Sequence, residues 1–164
     1  MQPSERITTA VTATTTVTAV TTPPGVAPPA AVPAPGAGAG AAAARAYAES
    51  VARTRWGGPG REVREEDVVD LLLVVSELVT NAIRHGDGLA GFEARPTEEG
   101  LWIAVHDNSA VVPRAAYAFP TTHPGGGYGW PLVARLARDI VVHLRPGGGK
   151  TISALVPLRA ADAP

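Results

Sequence analysis

Apolar residues crowd residues 68–79, where only Asp70, Ser76 and Glu77 interrupt a run of Val and Leu. The run lies inside "REEDVVDLLLVVSELVTNAIRHGDG", which has no Gly or Pro before Gly86. That length, the acids Glu65, Glu66 and Asp67 at its start and the glycine at its end predict a helix. In its last turns the apolar character gives way on one side. Glu77, Asn81 and His85 are spaced four apart, so they stack on one helical face. Upstream, "AAAARAYAESVARTRW" is rich in helix formers and is stopped by "GGPG" at 57–60. Downstream, "LAGFEAR" and "LWIAVH" flank "PTEEG" and read as a hairpin. "PLVARLARDI" reads as a third helix with Pro131 allowed in its first turn. "IVVHLR" and "KTISALVPL" flank "PGGG" as a second hairpin. The order helix, helix, two strands, loop, helix, two strands predicts an α/β fold of the α+β kind. It is a two-layer sandwich, a mostly antiparallel sheet with helices on one face.

Composition then sets the domain limits. Residues 1–44 carry only Glu5 and Arg6 as charged side chains and contain no aromatic residue and no Leu. "TTPPGVAPPAAVPAPGAGAG" is a Pro/Ala/Gly linker that cannot bury enough apolar area to offset its ordering entropy. Residues 1–40 therefore read as a disordered or low-complexity segment, 41–158 as the folded domain and 159–164 as a loose tail. The Thr/Val stretch within residues 7–20 has enough β-propensity for an edge strand. With no cysteine, disulfides and thiolate metal sites are out. A net charge of −1 argues against a nucleic-acid surface driven by bulk charge. No apolar run reaches the roughly 18 residues of a membrane span, and no basic region leads into a leucine-rich stretch at the N-terminus. A soluble, cytoplasmic protein is expected.

Four short segments carry candidate chemistry. On the helix stripe, the Asn81 amide oxygen suits a hard cation such as Mg²⁺, and Glu77 one turn earlier could orient or deprotonate a nucleophile beside it. A solvated helix end would also carry such residues. "VHDNSAVVP" ends a strand in Asp107, whose carboxylate can accept from an exocyclic amine with help from Ser109; Asp-Asn-Ser is equally ordinary turn chemistry. "GGGYGWPLV" places glycines ahead of a helix, where free N–H groups favour phosphate, although a flexible connector has the same composition. "GGGKTISALVPL" puts Thr151 near the base of a pocket or simply in a hairpin. The histidines His85, His106, His123 and His143 show no i, i+4 pair for zinc.

Taken together and in order, Glu77 to Asn81, Asp107-x-Ser109, Gly127-x-Gly129 and Gly149-Lys150-Thr151 resemble the Asn-bearing box and the glycine boxes of the GHKL ATP-binding family, which has the Bergerat-type fold. "SELVTNAIRHG" looks most like the anti-sigma-factor serine/threonine kinases, the branch of RsbW- and SpoIIAB-like proteins. The resemblance covers about residues 41–158. It implies ATP and Mg²⁺ as cofactors, with Asn81 as the metal ligand and Glu77 as the general base. Asp107 would hold the adenine amine with Ser109 beside it, and Gly127 and Gly129 would flank the phosphates. Thr151 would support the adenine end. Residues 113–126 would be a short nucleotide lid, from which Arg114 could reach the terminal phosphate. Arg84 and His85 stand where the family often has a basic or imidazole residue. Two departures stand out. Ser109 occupies a position that is usually Gly, and Trp130-Pro131 replaces a Leu-x pair, with Pro131 removing one backbone donor.

The resemblance further implies an ATP-dependent serine/threonine protein kinase that regulates transcription. It would phosphorylate a STAS-domain anti-sigma antagonist, sequester a sigma factor and form a homodimer. The alternative is a nucleotide-binding interaction module with little or no kinase activity. A histidine-kinase catalytic fragment fits less well, because the lid is short and no phosphoacceptor helix pair is present.

Overall fold

The computed structural model describes residues 18–19, 40–56, 60–112 and 129–161. Its elements run β1 (Thr18–Ala19), α1 (Ala41–Arg55), α2 (Glu65–His85), β2 (Leu89–Pro96), β3 (Gly100–Asp107), α3 (Gly129–Leu136), β4 (Arg138–Leu144) and β5 (Lys150–Pro157). The sheet order is β1-β4-β5-β3-β2; β4, β5, β3 and β2 pair antiparallel, and β1 adds a short parallel edge beside β4. The two-layer α+β sandwich expected from the hydrophobic pattern is the fold that forms. No helix among the described residues is long and apolar enough to cross a membrane.

Strand alternation places the core. On β3, Leu101, Ile103 and Val105 join the buried cluster, and on β5 so do Ile152, Ala154 and Val156. Successive side chains point to opposite faces, so these residues mark the face that the helices cover. Asp107 and Lys150 share its parity and are directly opposite each other in the β3–β5 register. α2 lies against this face with Val68, Leu71, Val74, Val75, Leu78, Val79 and Ala82 buried. α1 meets it with Ala44, Ala48, Val51 and Ala52, small side chains that allow close approach. Burying a residue such as Leu71 or Leu78, both fully inaccessible, contributes about 2 kcal/mol each. α2 is not buried all round, however: Val69, Leu73 and Ile83 are exposed on its outer side.

Two expectations need correction, and a third is met only in part by the described residues. The third helix was expected to run to Ile140, but it stops at Leu136 with Ala137 donating to the Val133 carbonyl. Asp139 takes φ of 49°, a bulge follows, and β-branched Ile140, Val141 and Val142 continue as β4. The tail was expected to be loose from residue 159, but Val63 bridges Ala160, and Arg64 and Ala161 donate to the Arg159 and Glu62 carbonyls. Of residues 1–40, Thr18–Ala19 form the edge strand that the Thr/Val composition allowed, Gly40 precedes α1, and the others lie outside the described residues.

The tail is anchored by Asp67, which is 2% exposed. It accepts the Arg159 backbone N–H at 2.7 Å and the guanidinium through both oxygens. Burial alone would raise the Asp67 pKa, but the side-chain and backbone hydrogen bonds from Arg159 outweigh it and hold the carboxyl below its ordinary value. A carboxyl depressed on folding stabilises above its unfolded pKa and loses that stabilisation as pH falls through the folded one. Asp67→Asn is therefore expected to lower the unfolding midpoint by several degrees, the response to about 1 kcal/mol in a domain of this size. The deficit should be constant above roughly pH 5 and shrink on acidification below the ordinary carboxylate range, as thermal denaturation across pH will show.

Candidate functional site

The site is assembled where the C-terminal half of α2 passes the end of β3. α2 closes with Gly86 and Gly88 both donating to the Ala82 carbonyl, at 3.0 and 3.2 Å. Asp87 and Gly88 then take φ of 55° and 101°, turning the chain back toward the sheet. Asn108 locks that turn, its backbone N–H donating to the Gly86 carbonyl at 2.8 Å and its side chain to the Asp87 carbonyl at 3.2 Å. Gly86 is sterically required. A Cβ there would lie 2.6 Å from Asp107 Cγ and 2.7 Å from the Ala82 carbonyl oxygen.

Asp107 is thus enclosed at 2% exposure. Its Oδ1 accepts the Ser109 N–H at 3.0 Å and the Lys150 ammonium at 3.0 Å, while Oδ2 is 2.8 Å from the same ammonium. Lys150 also donates to the Ser109 carbonyl at 3.1 Å and is itself 2% exposed. Arg145 donates to the Asp107 carbonyl at 2.8 Å, and Gly149 leaves room for that contact. The Ser109 hydroxyl accepts the Val111 N–H at 3.3 Å, so it is turned toward its own loop.

About 13 Å back along the axis of α2 a second group forms. The half-buried Glu77 carboxylate packs against Gly129, the first residue of α3, where a Cβ would overlap Glu77 Oε2. One turn on, Asn81 Nδ2 is buried with no hydrogen-bond partner. His85, a further turn along, is exposed at the helix end. Trp130 is 8% exposed and belongs to the core cluster, so its bulk is taken up by packing.

Of the expected site residues, Glu77 meets Gly129 at the start of α3, Asn81 lies one helical turn farther along α2, and Asp107 and Ser109 gather at the end of β3. Thr151 does not join them. It is opposite His106 on the other face of the sheet and hydrogen-bonds the His106 Nδ1 at 2.7 Å. His106 Nε2 meets Glu93 Oε1 at 3.0 Å, and Arg95 donates to Glu93 Oε2 at 2.6 Å. Burial would raise the Glu93 pKa, but hydrogen bonds from Arg95 and His106 outweigh it and keep the carboxyl low. A carboxylate on Nε2 makes that nitrogen the donor in the neutral ring, so Nδ1 accepts from the Thr151 hydroxyl. Arg114, Gly127 and the expected lid at 113–126 lie outside the described residues.

Lys150 was missed as a site residue, although the signal was present. Ile152, Ala154 and Val156 mark the core-facing parity of β5, and position 150 shares it whereas 151 does not. A cleft of about 640 Å³ lined by Arg55, Trp56, Arg61, Pro96, Thr97 and Glu98 lies by the β2–β3 turn, at the far end of the sheet from Asp107.

A family model for the histidine kinase-like ATPase domain matches residues 35–154. The chain belongs to that family. No match was found among the curated proteins. ATP binding goes with the family, and the ATPase domain has groups that fit it. Asn81 Nδ2 is buried without a hydrogen-bond partner among the described residues, a donor that an acceptor atom of a ligand would complete. Among the described residues no group of three or more His, Cys, Asp or Glu is placed to hold a metal ion.

Gly86→Ala is expected to lower the unfolding midpoint by several degrees, since overpacking at a closed contact costs about 1–3 kcal/mol. Gly147, where an added Cβ would meet nothing within 4 Å, provides the control. Gly147→Ala should leave the midpoint unchanged or slightly raised in the same scan.

Proposed function

We propose that this ATPase domain is an ATP-dependent serine/threonine protein kinase of the anti-sigma-factor type, cytoplasmic and acting on a STAS-domain antagonist while sequestering a sigma factor. The observation that carries the reading is the placement of Glu77. Its carboxylate stands against Gly129 at the N-terminus of α3, one helical turn from Asn81, whose buried Nδ2 donor has no partner among the described residues. In this reading Asp107 accepts the adenine amine, and the free N–H groups at the start of α3 face the phosphates. Asn81 would hold Mg²⁺, which supplies charge neutralisation for the phosphates. The hydroxyl oxygen of the acceptor serine or threonine attacks the terminal phosphorus, the bond to ADP breaks, and Glu77 takes the hydroxyl proton. Arg114 would contribute from the lid, and His85 would border the entrance. A homodimer goes with the same family branch.

A second reading, a nucleotide-dependent interaction module, draws on the same contact. The Glu77 carboxylate occupies the helix N-terminus that phosphates would need, and Pro131 takes one N–H away from the first turn of α3.

Calorimetry with ATP, with and without Mg²⁺, and a phosphotransfer assay on STAS proteins separate the two. Asn81→Ala is expected to abolish the Mg²⁺ dependence of ATP affinity. Glu77→Gln should bind ATP nearly as the wild type does while phosphotransfer falls about 100-fold or more, the scale of a lost general base. Wild-type transfer by Glu77→Gln would remove Glu77 as the base. Binding without any transfer by the wild type would favour the interaction module.

A further inference from the structure

Lys and Arg together number fourteen in this chain, and Lys150 is the only lysine. It is also the only basic side chain buried among the described residues. Its position is fixed by the β3–β5 register, which sets it directly across from Asp107. From one point its ammonium reaches Asp107 Oδ2 at 2.8 Å, Asp107 Oδ1 at 3.0 Å and the Ser109 carbonyl at 3.1 Å. An ammonium has three N–H donors, two of which go to Asp107 Oδ1 and the Ser109 carbonyl, while Oδ2 completes the ion pair. A guanidinium spreads its donors across a plane and needs the room of several more atoms, so arginine is a poor substitute in this enclosure.

The same count applied to Asp107 is informative. A carboxylate offers about four lone-pair sites, two on each oxygen. Oδ1 is filled by the Ser109 N–H and Lys150, and Oδ2 has only Lys150 among the described residues. Among the described residues Oδ2 accepts no hydrogen bond, so its acceptor capacity stays open. The other groups packed on Asp107 do not compete for it. Gly86 presents no side chain, and Arg145 is engaged with the Asp107 backbone carbonyl.

We propose that Lys150 is the positioning residue of the base-binding end, holding the Asp107 carboxylate so that Oδ2 remains open for a purine bearing an exocyclic amine. The inference rests on the nucleotide-binding reading above. A purine with an oxygen at that position would set two acceptors face to face, which leaves both unsatisfied. Without Lys150 the Asp107 carboxylate loses the contact that fixes its orientation. A carboxylate free to turn is no longer aimed at the amine, so the preference for an amine over an oxygen weakens.

The test is calorimetry of the full chain with ADP and with inosine diphosphate, because the ratio of the two affinities cancels the phosphate contribution. The wild type is expected to prefer ADP about tenfold or more, the size of one hydrogen bond mismatched. Lys150→Met should bind ADP about tenfold more weakly, with its preference over inosine diphosphate largely lost. The wild type gives a second readout that needs no variant to fold. With one lysine in the chain, ¹⁵N-lysine labelling yields a single ammonium signal, and ADP should shift it more than inosine diphosphate does. A folded Lys150→Met protein with the wild-type ratio overturns the inference, as does an ammonium signal that ADP at saturation leaves in place. A wild-type chain that binds neither nucleotide overturns the nucleotide-binding reading itself, and this inference with it.

Discussion

The end of α2 rests directly on the end of β3, with the Cα of Gly86 against the Asp107 carboxylate. Much of the site follows from that contact. Sealing a carboxylate from water costs several kcal/mol unless it is paired. The location adds to the cost, because a helix C-terminus carries partial negative charge. Lys150 offsets both terms, since its cation suits the carboxylate and the helix end alike. The ammonium in turn needs a third acceptor, and the Ser109 carbonyl provides it. The loop after β3 is therefore fixed at its first residues by the same charge pair that the helix end makes necessary.

The other end of the site has the opposite electrostatics. Glu77 stands at the N-terminus of α3, where partial positive charge favours an anion. Two carboxylates thus sit on or beside α2 in different fields, one at Glu77 and the other beside Gly86, about 13 Å farther along the helix axis; one needs a buried cation and the other is satisfied in part by a helix dipole. The Glu77 position is also where an anionic ligand would gain most. Whether the carboxylate yields to phosphate or remains as a base beside it is the chemical difference between an interaction module and a kinase.

The long elements were legible because their periodicities are strong. α2 announced itself through its acidic start, apolar body and terminal glycine, and both hairpins through paired β-rich runs around turns. The errors arose where two local signals competed. "ARDI" carries helix-forming residues, but Asp139 accepts a left-handed conformation and the β-branched run behind it pulls Ile140 into the sheet. The tail has no sequence pattern of its own, since its order comes from Asp67, 92 positions away from Arg159. No local reading can find a contact at that separation. The exposed Val69, Leu73 and Ile83 show the converse limit, because an apolar helix need not be covered on every side.

The site was half legible for a similar reason. Glu77 and Asn81 share a helical face by spacing alone, so their grouping could be read directly. Asp107 could be placed only by knowing that β3 ends there. Thr151 and Lys150 differ by one position, and in a strand one position means the opposite face. The resemblance drew attention to Thr151, but the register gives it to His106 and Glu93 on the uncovered side and brings Lys150 to Asp107. Gly91, across from His106, leaves space for the imidazole, with its missing Cβ 3.0 Å from His106 Cδ2. The hairpin β4–β5 therefore serves two polar groups at once, one buried and one part-buried. It is the parity of the strand, set by the apolar residues Ile152, Ala154 and Val156, that assigns each side chain to its group.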